Sequence, residues 1–137
     1  MAGRVWRSLQ ARLDWLPDSI ANLIVDVKTT KCGKLSAIQR SILDWGYHIQ
    51  DAFYRRGWMH VFGKEPDFIF SFHEKPKHIL DVALPPVMVE LDPVFRRAGD
   101  EAVVRLLEMY LECSSKNNWP GYSQGLITLS PPSWFKG

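Results

Sequence analysis

Between residues 22 and 53 the hydrophobic spacing of the chain switches from that of a strand to that of a helix, and this switch limits the possible folds more than any other feature. Asn22-Leu-Ile-Val-Asp-Val-Lys-Thr-Thr30 is a β-branched run and reads as a strand. Lys31 to Lys34 contains Cys-Gly and breaks it. From Leu35 the apolar positions Leu35, Ile38, Ile42, Trp45, Ile49, Ala52 and Phe53 recur at steps of three and four, which predicts one amphipathic helix with that stripe facing the sheet. Ser36 lies where an N-cap is expected and Gly57 offers a stop. Gly46, inside the run, costs about 1 kcal/mol against Ala and marks a bend or a close contact.

The rest of the chain follows the same logic. Residues 5–16 alternate loosely, and Pro17-Asp18-Ser19 is a turn signal, so the strand at 22–30 is expected to be the second arm of an antiparallel hairpin. Residues 66–72 and 78–84 read as two more strands with a Lys75-Pro76 turn between them, the second ended by Pro85-Pro86. Pro93 suits a first helical turn, and Val94, Ala98, Ala102, Leu106, Met109 and Tyr110 continue at helical spacing to about Cys113. Residues 117–137 form a Pro, Gly and Ser-rich tail. Strands and long helices in this order predict an α/β class, a mixed central sheet with helices packed on it. At 137 residues a single domain is expected over 1–137. Apolar residues at 46% and charged residues at 23% exclude a disordered chain. No apolar run reaches the roughly 18 residues of a membrane span, and no signal-peptide stretch opens the chain, so a cytoplasmic protein is expected. Two cysteines cannot build a disulfide framework or a four-ligand zinc site. The net charge of +2 does not by itself point to a nucleic acid, whereas 6 Trp could serve either a core or base stacking.

Chemistry concentrates at Asp26-Val27-Lys28. Side chains two apart on a strand share a face, so Asp26 and Lys28 stand together with a carboxylate and an ammonium at one spot. Chance supplies about one acid-x-Lys triplet in a chain of this length, and most such triplets are solvated ion pairs. Asp14 adds weight. The hairpin brings it roughly opposite positions 24 to 26, although it could equally serve the turn with Asp18. Two carboxylates that close repel unless a cation sits between them, and all-oxygen ligation suits Mg2+ or Mn2+ better than zinc. Tyr47, Gln50 and Tyr54 share one helix face, a polar row beside the apolar stripe. His48 has no partner at metal-binding spacing and reads as a surface or core histidine.

Arg12-Leu-Asp-Trp-Leu16, Ile24-Val-Asp-Val-Lys-Thr-Thr30 and Tyr47-His-Ile-Gln-Asp-Ala-Phe-Tyr54 together resemble the PD-(D/E)XK nuclease superfamily. Within it the chain looks most like the RecE-type exonucleases of phages and prophages (exodeoxyribonuclease VIII), which share a Gln-x-x-x-Tyr helix motif with RecB-like nucleases. The tail Asn118-Trp-Pro-Gly-Tyr-Ser123, then Leu129 and Pro132-x-Trp134, is similar to that family's C-terminal end. The resemblance covers about residues 4–135.

It implies a restriction-endonuclease-like core and metal-assisted hydrolysis of DNA phosphodiesters, typically 5′ to 3′ on linear duplex. The implied metal contacts are Asp14, Asp26 and the Val27 carbonyl. Lys28 would orient the attacking water or stabilise charge on the phosphate. Gln50 and Tyr54 would complete the catalytic set, and Arg12, Tyr47, Gln50 and Tyr54 would contact DNA. Implied partners are a linear duplex end, further copies of the chain in a ring, and a phage single-strand annealing protein. The family also carries an acidic residue, often with a His, on a helix upstream of the first strand. Residues 1–13 contain neither, so a domain lacking that helix is expected. The alternative is a non-catalytic remnant of the fold that binds nucleic acid or a protein through Arg4, Arg7, Arg12, Arg55, Arg56 and exposed Trp. A third reading is a small structural or regulatory protein in which these motifs are coincidental.

Overall fold

A computed structural model describes residues 9–16, 22–78, 82–123 and 125–136 of the chain. The order of elements is β1 (Leu23–Thr30), α1 (Leu35–Asp44), α2 (Tyr47–Phe62), β2 (Asp67–Glu74), β3 (Val87–Val89) and α3 (Pro93–Lys116). The sheet is mixed, in the order β1-β2-β3, with β1 and β2 parallel and β3 antiparallel to β2. Parallel neighbours need a crossover of a dozen or more residues, and α1 and α2 supply it. The chain divides into two compact units, residues 1–104 and 105–137. The first contains the sheet, α1, α2 and the start of α3. The second holds the remainder of α3 and the tail, and Tyr110 of α3 meets Trp119 of the tail in a tilted ring contact, centroids 5.6 Å apart.

The core lies between one face of the sheet and the helices above it. Ile24 of β1 and Phe68, Phe70 and Phe72 of β2 present alternate, buried side chains, as the two-residue strand period requires. Ile38 and Ile42 of α1 and Leu91 close the cluster. Three phenylalanines in succession on one strand place their rings 4.9 and 6.1 Å apart, within the range of favourable tilted contacts.

Several expected features take a different form. The helix over 35–57 is two helices, because Gly46 adopts the left-handed conformation (φ 65°) and ends the first hydrogen-bond ladder. The interruption shifts the helical phase, so the stripe continues across it only in part. Trp45 is 74% exposed, Ala52 is buried as expected, and Tyr47, Tyr54 and Trp58 of α2 pack against the core cluster. Gly57 lies within α2, and the stop is Gly63, also left-handed at φ 71°. The last strand follows Pro85-Pro86 instead of preceding them. Residues 78 and 82–84 are not in a strand, and 79–81 lie outside the described residues. Among the described residues the hairpin is represented by one antiparallel bridge, Trp15 to Val25, and residues 1–8 and the turn at 17–19 lie outside them.

In α3 the expected stripe holds only in part. Ala102 is buried as the spacing requires, whereas Val94 and Leu106 are exposed and the other buried positions are Gly99 and Val103. Gly99 is there because α3 approaches α2 closely. A Cβ at this position would stand 2.1 Å from the His48 carbonyl oxygen and 3.3 Å from the Ala52 Cβ. A backbone atom cannot yield as a flexible side chain can. Gly99→Ala is therefore expected to destabilise the protein by roughly 1–3 kcal/mol. Gly57→Ala, in open space in mid-helix, should gain up to about 1 kcal/mol. Urea denaturation checks both, and equal midpoints would contradict the close approach.

Candidate active site

Register places the site. In the Trp15–Val25 bridge each residue's N–H donates to the other's carbonyl at 3.2 Å, so Asp14 falls opposite Asp26. Next along β1 the Val27 N–H donates to the Asp14 carboxylate (3.0 Å to Oδ2). A side chain thus takes the bond that a further strand residue would have made, which accounts for the pairing ending there. Backbone groups of alternate strand residues turn the same way, so the Val27 carbonyl faces this edge, away from β2.

Asp26 and Lys28 follow Ile24 on the core face of β1 and stand beside Phe70 and Phe72 of β2. Asp26 is 2% exposed. Its Oδ1 accepts a hydrogen bond from Gln50 Nε2 at 2.7 Å, and its Oδ2 is ion-paired with the Lys28 ammonium. That ammonium also lies 4.7 Å from the centroid of the Tyr47 ring, a cation–π contact. Tyr47 packs on Phe70 and Phe72, and Tyr54 packs on Phe68, the neighbour of Ile24. The row Tyr47, Gln50, Tyr54 thus lies over the row Lys28, Asp26, Ile24. Seven helical residues rise about 10 Å and four strand residues about 13 Å, so the two rows nearly match in length.

Burial pushes the Asp26 carboxyl above its ordinary value of 3.8, and the Asp14 charge adds to the rise. The Lys28 ion pair and the Gln50 hydrogen bond oppose the shift without cancelling it. The donors at this edge are all oxygens, from Asp14, Asp26 and the Val27 carbonyl, and the buried Oδ2 has no partner but Lys28 among the described residues. Among the described residues no cluster of three or more His, Cys, Asp or Glu side chains could hold a metal. Two carboxylates remain a workable set for Mg2+, which is commonly held by one or two carboxylates and keeps several waters. The residues therefore fit a hard divalent ion.

Arg12 is exposed, two residues before Asp14, and makes no ion pair among the described residues. Arg55 is not the phosphate contact that its sequence context suggests. It is 5% exposed on α2 and paired with Asp51 at 3.0 Å, with Glu65 before β2, and with Asp100 of α3 at 3.5 Å. Glu65 and Asp100 remain largely exposed while they pair with it. The sequence signal for this cluster was only the i,i+4 spacing of Asp51 and Arg55, because Glu65 and Asp100 reach it through tertiary packing. Arg4 and Arg7 lie outside the described residues.

A mixed sheet with flanking helices and this strand order defines a PD-(D/E)XK-like α/β fold. More narrowly, the chain belongs to the PDDEXK-like domain of unknown function DUF3799, whose family model matches residues 5–128. A solved structure from Eubacterium rectale, described as a "Putative exonuclease", is similar to it with a TM-score of 0.54 and 15% sequence identity. The match covers 81% of this chain and 45% of the Eubacterium rectale chain, so this chain spans less than half of that protein's length. No curated protein matches.

Two outcomes follow from the buried charges. A carboxyl whose folded-state pKa is raised stabilises the fold fully only below the unfolded value, and that contribution is lost as pH rises through the folded value. Asp26→Asn removes the loss, so in metal-free buffer it should melt above the wild type at pH 7, the gap closing below about pH 4. Equal melting at pH 7 would contradict the account. Arg55→Met leaves Asp51 buried and unpaired, and should lower the unfolding free energy in urea by about 3–5 kcal/mol.

Proposed function

We propose that this domain is a divalent-metal-dependent deoxyribonuclease, an exonuclease of the RecE-like type that degrades linear duplex DNA, 5′ to 3′. The observation that carries this reading is the pairing of Asp14 with Asp26 on adjoining backbone segments, with Lys28 and Gln50 both engaged on the Asp26 carboxylate. Asp14, Asp26 and the Val27 carbonyl would hold the ion, Mg2+ or Mn2+. When bound, such an ion lowers the pKa of a water and offsets charge on the scissile phosphate.

The chain's own residues do the positioning. Gln50 fixes the Asp26 carboxylate through Oδ1, leaving Oδ2 directed at Lys28. Lys28 is held between Asp26 and the Tyr47 ring, so its ammonium is placed to meet a phosphate oxygen or to orient a water. Tyr54 supports the same face of α2 through Phe68, and Arg12, exposed near Asp14, is assigned to the DNA backbone with Tyr47 and Gln50. The RecE-like reading brings with it a homo-oligomer, a single-strand annealing protein as partner and a cytoplasmic location. Among the described residues no helix is long and apolar enough to cross a membrane.

The test is digestion of end-labelled linear duplex. The wild type should release nucleotides with Mg2+ or Mn2+ and not with EDTA. Asp14→Ala and Asp26→Ala should each reduce the rate at least about 100-fold, the scale on which loss of a charge-stabilising group acts. Digestion in EDTA, or undiminished digestion by Asp26→Ala, would overturn the reading. Salt-dependent binding of the duplex without any cleavage would favour a nucleic-acid-binding domain that has lost catalysis.

A further inference from the structure

We propose that a groove at the carboxyl ends of β1 and β2, beside the candidate active site, binds a segment of single-stranded DNA, with phosphates on Lys31, Arg40 and Lys75 and a base stacked on Trp45. The groove has a volume of about 610 Å3 and is lined by Thr29 and Thr30 of β1, the C-terminal half of α1, and Lys75 after β2. In open α/β sheets the carboxyl ends of the parallel strands are the usual place for ligands. The choice of DNA rests on the nuclease reading, while the existence of the site rests on the groove itself.

Charge and aromaticity point the same way. Lys31, Arg40 and Lys75 are exposed, and none makes an ion pair among the described residues. Asp44 is the one carboxylate among the described residues that line the groove. Glu74, the other acid at this end of the sheet, is engaged by the Gly33 N–H at 2.6 Å. Trp45 lines the groove and is 74% exposed, a position produced by the left-handed turn at Gly46. An exposed indole between unpaired cations is the arrangement that takes a base face and its flanking phosphates. The volume suits one or two nucleotides, not a double helix.

The groove is continuous with the site described above. The ring of Tyr47 lines it and also receives the Lys28 ammonium at 4.7 Å. Thr29 and Thr30 follow Lys28 directly along β1. A strand whose phosphate lies at Asp26 and Lys28 could therefore continue past Tyr47 onto Trp45.

Fluorescence anisotropy of labelled oligothymidine, without divalent metal, tests this. The wild type should bind, and the logarithmic salt slope should fall by about 2 in Lys31→Ala/Arg40→Ala/Lys75→Ala. Trp45→Ala should weaken binding by about 5- to 150-fold. Both variants alter exposed side chains, and circular dichroism melts matching the wild type would confirm that they fold. Failure of the wild type to bind, or affinities of both variants within twofold of it, would overturn the proposal. Tighter binding of oligouridine would overturn the choice of DNA. Because no metal is present, these results stand apart from the digestion assay, whose failure would remove the nuclease reading and leave the groove measurement valid.

Discussion

Asp26 occupies a place on the core face of β1 where an aliphatic side chain would otherwise be expected. It follows Ile24 in the buried row, sits beside Phe70, and is itself 2% exposed. A carboxylate there is tolerated only with partners, and the structure supplies Gln50 from above and Lys28 from the same strand. Neither cancels the burial, which still raises its proton affinity. The polar row of α2, the position of Lys28 over Tyr47 and the approach of Asp14 from the neighbouring segment all converge on this one group. A divalent ion at this edge would offset the repulsion between the two carboxylates, which links the stability of the site to its proposed chemistry.

The left-handed turn at Gly46 is the second constraint. It lets α2 begin in a new phase, so that Tyr47, Gln50 and Tyr54 face the sheet while Trp45 is left on the surface. One backbone conformation thereby sets both the donor that holds Asp26 and the exposed ring beside the groove. The position of α2 is reinforced from its other side by Gly99, which admits α3 to contact distance, and by Arg55, which ties α2 to Glu65 and Asp100.

Much of this was legible from local pattern. The strand over 22–30, the adjacency of Asp14 to positions 24–26, and the common face of Tyr47, Gln50 and Tyr54 all follow from periods of two and 3.6 residues. The mixed α/β class followed from the order of the elements. What was not legible depends on tertiary context. The periodicity from Leu35 to Phe53 reads as one stripe because apolar residues occur on both sides of Gly46, and only the backbone conformation at that residue divides them. Val87–Val89 was hidden because three residues after two prolines carry little strand signal until Phe70 and Phe72 provide a partner. Arg55 read as a surface base because a buried guanidinium and an exposed one look alike without their partners. The groove cations Lys31, Arg40 and Lys75 lie on three separate segments; the parallel pairing of β1 with β2 brings Lys31 beside Lys75, and the packing of α1 adds Arg40.

The central claim is that Asp14 and Asp26 act together to hold one divalent ion. Calorimetric titration of the metal-free protein with Mn2+ measures this directly. One site per chain is predicted for the wild type, with binding lost in both Asp14→Ala and Asp26→Ala and retained in Trp45→Ala. Unchanged Mn2+ affinity in either aspartate variant would contradict the account.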